Sequence, residues 1–364
     1  MRIKLKNTPE QVELVKALGS KNKLTSMEAQ EALAAFIAPV AREVIEKAGT
    51  ANLIYTQDTY NEDDQPSVPL DLYYNEGVDF VQVWQQNIAG GVPTSQAYGV
   101  DEMLVATYRL DSAVSMLKKY ARKARIDVVS KTISKMLNEV LIKQERNQWS
   151  ILLKALAEAI DVDGNTNLIA ATTANVFQID DLNRLFTKAR RVNAAFNAGT
   201  PVASASRGLT DLFVAPETLE DIRAFAYEPM NTRAVPNTDE STAVPLPDAV
   251  RQKIYETPNA PEIYGVMIHE VLEFGDNRVY NNLFDTFYSG TPTFAGATDT
   301  LVLGVDKGRE SCIKLVAQNA DTGDTFVAVP DDQFLSRSEK IGWFGSTEQG
   351  NVVVDARALL GCII

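Results

Sequence analysis

Three places in the sequence bring together side chains that could do chemistry. Asp321-Thr322-Gly323 has the residue order of the loop that carries a catalytic carboxylate in aspartic proteases, where two aspartates share one proton. No second Asp-Thr-Gly exists, Asn319-Ala320 replaces the usual apolar lead-in, and a polar turn built on Gly323 explains the residues. Asp161, Asp163 and Asn165 fall at the first three ligand positions of a calcium loop. Thr166, however, stands where the sharp turn needs glycine, and Thr172 where a bidentate glutamate is required. His269 is the only histidine, which excludes multi-histidine metal sites and makes any serine or cysteine triad depend on it. It alternates within residues 265–271 beside Glu270, as a structural strand histidine does. No Walker loop, Gly-x-Gly-x-x-Gly fingerprint or Gly-x-Ser-x-Gly elbow occurs. The expectation is a protein that is not an enzyme and that holds no metal or other cofactor.

Composition narrows the class. A chain of 364 residues with 45% hydrophobic content can bury a large core, and 35 basic against 48 acidic residues give a formal charge of −13. So acidic a balance argues against wrapping nucleic acid with most of the surface, because phosphate binding depends on lysine and arginine. Cys312 and Cys362 are too few for a disulfide framework and lack metal-ligand spacing, so folding in a reducing cytoplasm is expected. Residues 1–19 lack the apolar core of a signal peptide, and no run approaches the ~20 apolar residues of a membrane helix.

The charges are also unevenly placed. Between Ala48 and Arg109 there is no lysine or arginine but nine carboxylates: Asp58, Glu62, Asp63, Asp64, Asp71, Glu76, Asp79, Asp101 and Glu102. From Arg109 the sign flips, with Lys118, Lys119, Arg122, Lys123, Arg125, Lys131 and Lys135 against Asp111 and Asp127. Interleaved apolar residues, among them Ile54, Val68, Phe80 and Trp84, give the acidic stretch surface to bury, unlike a disordered tail. The basic run 118–125 reads first as a solvated helix face, second and nearly as well as a partner for acidic protein surface, and only last as a nucleic-acid contact.

The elements that would position these residues follow from spacing. Thr8-Pro9-Glu10-Gln11 opens a short helix ending at Gly19, and Thr25 with Glu28 repeats the capping-box spacing before a longer helix to Gly49. Residues 53–59, 80–84 and 103–110 have strand character and form a long projecting hairpin, after which Asp111 or Ser112 caps a short helix. Val129, Ile133, Met136, Leu137 and Val140, then Trp149, Leu152, Leu153, Leu156 and Ile160, mark a helix of about 50 Å. Alternating helices and strands follow, including a helix around 182–192, a strand 211–215, a helix from Pro216 and a strand 265–271. Residues 231–246 form a long polar loop among them. The last part is mostly β, with strands at 301–305, 312–317, 325–329, 340–344 and 351–354.

A helical arm, a long hairpin, a long helix and an α/β region with a polar loop follow in order. The β-rich end closes on Ile341-Gly342-Trp343-Phe344-Gly345, then Gly350-Asn351-Val352-Val353-Val354-Asp355-Ala356-Arg357-Ala358-Leu359. In that order the chain resembles the major capsid proteins of tailed bacteriophages, over nearly its whole length. The resemblance implies the α+β capsid fold first seen in phage Hong Kong 97. Residues 1–50 would be the N-terminal helical arm, 51–110 the extended loop, 111–160 with 298–364 the peripheral domain with its spine helix, and 161–297 the axial domain.

It further implies a virion protein, assembled in the host cytoplasm into hexamers and pentamers of an icosahedral shell around double-stranded DNA, without sequence-specific binding. Portal, scaffolding and decoration proteins are the implied further partners; with no cleavable leader evident, a scaffold would be encoded separately. In this family the extended loop lies across a neighbour, so Glu62, Asp63, Asp64, Asp71 and Trp84 are expected at a subunit interface. Lys118, Lys119, Arg122, Lys123 and Arg125 are expected opposite them, and Asn237, Asp239 and Glu240 at the capsomer centre. Some members link subunits by an isopeptide bond from a lysine of the extended loop. That loop has no lysine here, so a shell without covalent crosslinks is expected. The competing readings are an encapsulin compartment, which shares the fold and packages an enzyme, and a soluble α/β hydrolase using His269 or Asp321.

Overall fold

The structure is a computed structural model that describes residues 8–69, 102–160, 164–196, 208–225, 248–256, 262–319, 324–331 and 339–364. The expectations for Asp71, Trp84, Asp161, Asp163, Asn237, Asp239, Glu240 and Asp321, and for the strand at 80–84, lie outside the described residues. In chain order the elements begin with α1 (Pro9–Leu18), α2 (Lys23–Lys47), β1 (Thr56–Asn61), β2 (Ser67–Pro69), β3 (Glu102–Leu104) and β4 (Thr107–Leu117). Then come α3 (Lys118–Arg122), α4 (Ile126–Glu158), β5 (Leu168–Ala170), α5 (Ile179–Phe196), β6 (Asp211–Val214), α6 (Pro216–Ala224) and α7 (Asp248–Glu256). The chain ends with β7 (Glu262–Ile263), β8 (Val266–Glu270), α8 (Val279–Phe287), β9 (Leu301–Val305), β10 (Cys312–Gln318), β11 (Val327–Asp331), β12 (Lys340–Val353) and β13 (Leu359–Ile363).

The contacts divide into two compact units. One takes residues 1–66, 105–148 and 314–351; the other takes 67–104, 149–313 and 352–364. The core of the first unit is a helix-on-sheet layer. Ala29, Leu33, Ile37, Ala41 and Ile45 of α2 recur at the 3.6-residue period and meet Ile126, Val129, Ile133, Met136 and Val140 of α4, with Phe326, Ile341 and Trp343 from the sheet. That sheet runs β1-β10-β12-β11, and β4 pairs β12. The β4–β12 ladder is antiparallel and unbroken, from Leu117↔Lys340 to Thr107↔Gly350.

In the second unit the six strands run β5-β13-β9-β6-β8-β7, with β13–β5 and β6–β8 parallel and the other pairs antiparallel. β6, β9 and β13 are buried at every position, which explains the apolar runs at 212–214, 301–305 and 359–363. Trp149, from the later part of α4, packs with Phe213 at 5.7 Å, Phe274 at 5.1 Å and Tyr280 at 5.3 Å. β2 and β3 pair antiparallel, with Val68 opposite Met103.

Several local expectations are corrected. Asn22, not Thr25, caps α2, its side chain accepting from the Leu24 N–H at 3.3 Å. Residues 51–53 form a 3-10 turn instead of a strand start, because the Glu145 carboxylate accepts the N–H groups of Thr50 and Ala51 at 2.8 and 3.0 Å. No helix is capped at Asp111 or Ser112; both lie in β4, where β12 satisfies the backbone along the whole strand. For the same reason the two expected strands at 340–344 and 351–354 are largely one, β12. The elements β2, β5, β7, β13, α7 and α8 were not anticipated from sequence.

Candidate assembly surfaces

The acidic residues follow β1, whose residues are almost all exposed. Asn61 and Asp64 close a turn, with Asp64 N–H donating to Asn61 O at 2.9 Å and Asn61 Nδ2 to Asp64 Oδ2 at 3.4 Å. Glu62 is engaged within its own chain: its N–H donates to Gln318 O at 3.2 Å and its carboxylate accepts from Asn319 Nδ2 at 3.2 Å. Asp63 and Asp64 are exposed at the tip of the turn. Nearby, Tyr60 donates to Glu348 at 3.1 Å, and burial, reinforced by that carboxylate, pushes its hydroxyl up to about 12.

The basic segment is α3 and the start of α4. A left-handed Ala124 (φ 50°) ends α3, with Arg125 N–H returning to Tyr120 O at 3.0 Å, and so turns the chain into α4. The five cations do different things. Lys118 is 6% exposed; burial and then Arg122 lower its pKa, partly offset by Glu339. Arg122 donates to Gly19 O at 2.9 Å and lies 3.7 Å from Glu339. Gly19 accommodates it because a Cβ there would collide with the Arg122 backbone. Lys119 stands 5.2 Å from the Tyr120 ring centroid and is exposed, as are Lys123 and Arg125. Lys118 thus serves its own fold, whereas Arg122, although bound to Gly19, stays exposed beside Lys119, Lys123 and Arg125.

The residues weighed for catalysis are placed differently. His269 lies on β8 with its ring 4.9 Å from that of Phe213, and Nε2 is 2.8 Å from Asp211 Oδ1. The same Oδ1 accepts from Lys307 Nζ at 2.8 Å. Burial raises the Asp211 pKa, but the hydrogen bonds from His269 and Lys307 outweigh it and hold the carboxyl below its ordinary value. Both cysteines are buried, and burial pushes their thiols up to about 12, far from the thiolate a nucleophile needs. Thr172 is held by Asp181, its N–H at 2.8 Å and its hydroxyl at 2.7 Å. Among the described residues no group of three or more His, Cys, Asp or Glu could hold a metal ion, and no helix is long and apolar enough to cross a membrane.

One polar cluster escaped the sequence reading. Lys314 on β10 is 2% exposed and donates to Asn52 Oδ1 at 3.2 Å. That oxygen also accepts from Gln148 at 3.0 Å and Gln144 at 3.3 Å, two buried residues of α4. Asn52 Nδ2 in turn donates to Ile45 O and Ala48 O at the end of α2. Burial lowers the Lys314 amine to about 8, although Glu46 and Glu145 act to raise it. A lone lysine inside the apolar run 312–317 was the available signal.

No protein-family model matches the chain, and no curated protein is similar to it in sequence. Solved structures are similar. A chain of the capsid structure of cyanophage P-SCSP1u is 12% identical with a TM-score of 0.51, over 85% of this chain and 86% of that one. A chain of the cyanophage Pam1 capsid is 13% identical with a TM-score of 0.48, over 85% and 88%. One from Microbacterium phage Oxtober96 is 13% identical with a TM-score of 0.48, over 87% and 91%. With its long α4, its five- and six-stranded sheets and the β2–β3 pair, this chain has the α+β fold of phage capsid proteins of the Hong Kong 97 type.

Proposed function

We propose that the chain is a major capsid protein, a structural subunit that assembles with copies of itself into the hexamers and pentamers of an icosahedral shell around double-stranded DNA. The observation that carries this reading is the match in fold, over 85% of the chain, to the capsid structure of cyanophage P-SCSP1u. Its place is the virion, after assembly in the host cytoplasm, with portal, scaffolding and decoration proteins as further partners. Subunits are joined without covalent crosslinks, and Asn237, Asp239 and Glu240 lie at the capsomer centre.

Subunit contact is proposed to pair acidic residues of one copy with basic residues of the next. Exposed Asp63 and Asp64 are the leading acidic residues, with Asp71 and Trp84 further along the loop, and Lys119, Lys123 and Arg125 are the leading cations. Exposed pairs contribute about 0–1 kcal/mol each, so their effect is on partner choice and orientation, multiplied over many equivalent contacts.

Negative-stain microscopy of the expressed protein should show uniform closed shells; a monodisperse monomer at high concentration would overturn the proposal. Shells purified from the native source should contain DNA, whereas an encapsulin would contain a cargo enzyme. Reversing Asp63 and Asp64 to lysine should lower the yield of shells, and reversing Lys119 and Lys123 to glutamate in the same chain should restore part of it. Absence of rescue would argue against direct pairing.

A further inference from the structure

We propose that Lys314 and Asn52 form an isopeptide bond inside each subunit, made by the folded chain on itself. The amine and the carboxamide are already in hydrogen-bond contact, with Lys314 Nζ 3.2 Å from Asn52 Oδ1 and so one bond removed from the carbon it would attack. Lys314 is the nucleophile because its amine is almost fully buried and its partner is a neutral amide. Burial lowers it to about 8, which gives a substantial neutral fraction in mildly alkaline solution.

The electrophile is prepared by its neighbours. Gln144 and Gln148 donate to Asn52 Oδ1, where negative charge builds as the tetrahedral intermediate forms. Glu145 completes the group. Its Oε1 is held by the N–H groups of Thr50 and Ala51, and its Oε2 fills the space a Cβ on Gly49 would need, with Asn52 Nδ2 bordering the same space. Gly49 has φ 106°, so both its backbone and its missing side chain suit this approach.

The step balances without any added reagent. The neutral Lys314 amine adds to Asn52 Cγ, and the proton it sheds passes through the Glu145 carboxylate to Nδ2. The Cγ–Nδ2 bond then breaks, ammonia leaves and the Cγ–Nζ amide remains. The bond closes within one subunit, so it is compatible with a shell that shows no linked subunits, and it does not rest on the shell reading.

Intact-mass spectrometry of the purified chain, held at about pH 9 where most of such an amine is neutral, should show the loss of one ammonia. Proteolysis should then release one branched peptide joining the segments around Lys314 and Asn52. Lys314→Met and Asn52→Ala should retain the full mass, and Glu145→Gln should slow the loss by about 100-fold. A wild-type protein that is folded by circular dichroism and keeps its full mass would overturn the proposal. So would a mass loss that persists in Lys314→Met, which would identify a succinimide at Asn52-Leu53. The branched peptide is sought in wild-type protein, so this readout does not depend on whether a variant folds.

Discussion

Two lysines of this molecule, Lys314 in the first unit and Lys307 in the second, meet opposite solutions for a cation near a core. Lys307 is about one-third exposed and touches a carboxylate directly, Asp211 at 2.8 Å, which also holds His269. Lys314 is buried against neutral amides, and the charges of Glu46 and Glu145 act on it to favour the ammonium form. Direct pairing favours the ionised forms, as the depressed pKa of Asp211 records. Burial among amides favours the neutral amine. The difference separates a lysine that holds structure together from one whose nitrogen is available for chemistry.

The comparison breaks first at Lys314. Lys314→Glu would place a third carboxylate beside Glu46 and Glu145 and should destabilise by about 3–5 kcal/mol, the scale of an uncompensated buried charge. The fall in thermal unfolding temperature measures it; an unchanged value would mean that the site is open to water.

A pH series sharpens the contrast. The folded value of Lys314, about 8, lies below its ordinary 10.5, so between those values the unfolded chain binds more protons and stability rises with pH. Below about 8 the term is constant. In an Asn52→Ala background, where the bond cannot form, the stability gap between chains with and without Lys314→Met should move by about 2–3 kcal/mol in favour of lysine from about pH 7 to about pH 10. A chain already bonded at Lys314 should lack this dependence.

Asp211 has the opposite sign. Its folded pKa is depressed, so its contribution is complete above the ordinary carboxylate value of 3.8 and is lost as pH falls through the lower folded value. Asp211→Asn should cost about 1–2 kcal/mol at neutral pH and remove that acid-side loss. Denaturation midpoints at two pH values test both statements.

Much of the scaffold was legible because local signals and tertiary demands agree. Thr8 and Pro9 start α1, and the apolar spacing from Val129 to Leu156 gives α4. β13 was not legible, since Leu359–Ile363 is buried on both faces and carries no alternation. The run through Asp111 into β4 was hidden because the partner that stabilises it, β12, lies far along the sequence. The candidate surfaces were legible as charge but not as exposure: spacing could not reveal that Lys118 is buried or that Glu62 is tied to Asn319. The Lys314 cluster assembles residues from the end of α2, from α4 and from β10, and no short motif contains it.

The β4–β12 ladder has a consequence for when the protein becomes competent. Leu117 pairs with Lys340, and roughly two hundred residues separate them, so during synthesis β4 leaves the ribosome long before its partner exists. At about 5–20 residues per second that interval is on the order of tens of seconds. Contacts of such long range also close slowly once the partner has emerged. This order of synthesis completes the first sheet only after β12 has been made. It also makes β4 the strand most in need of protection while it waits.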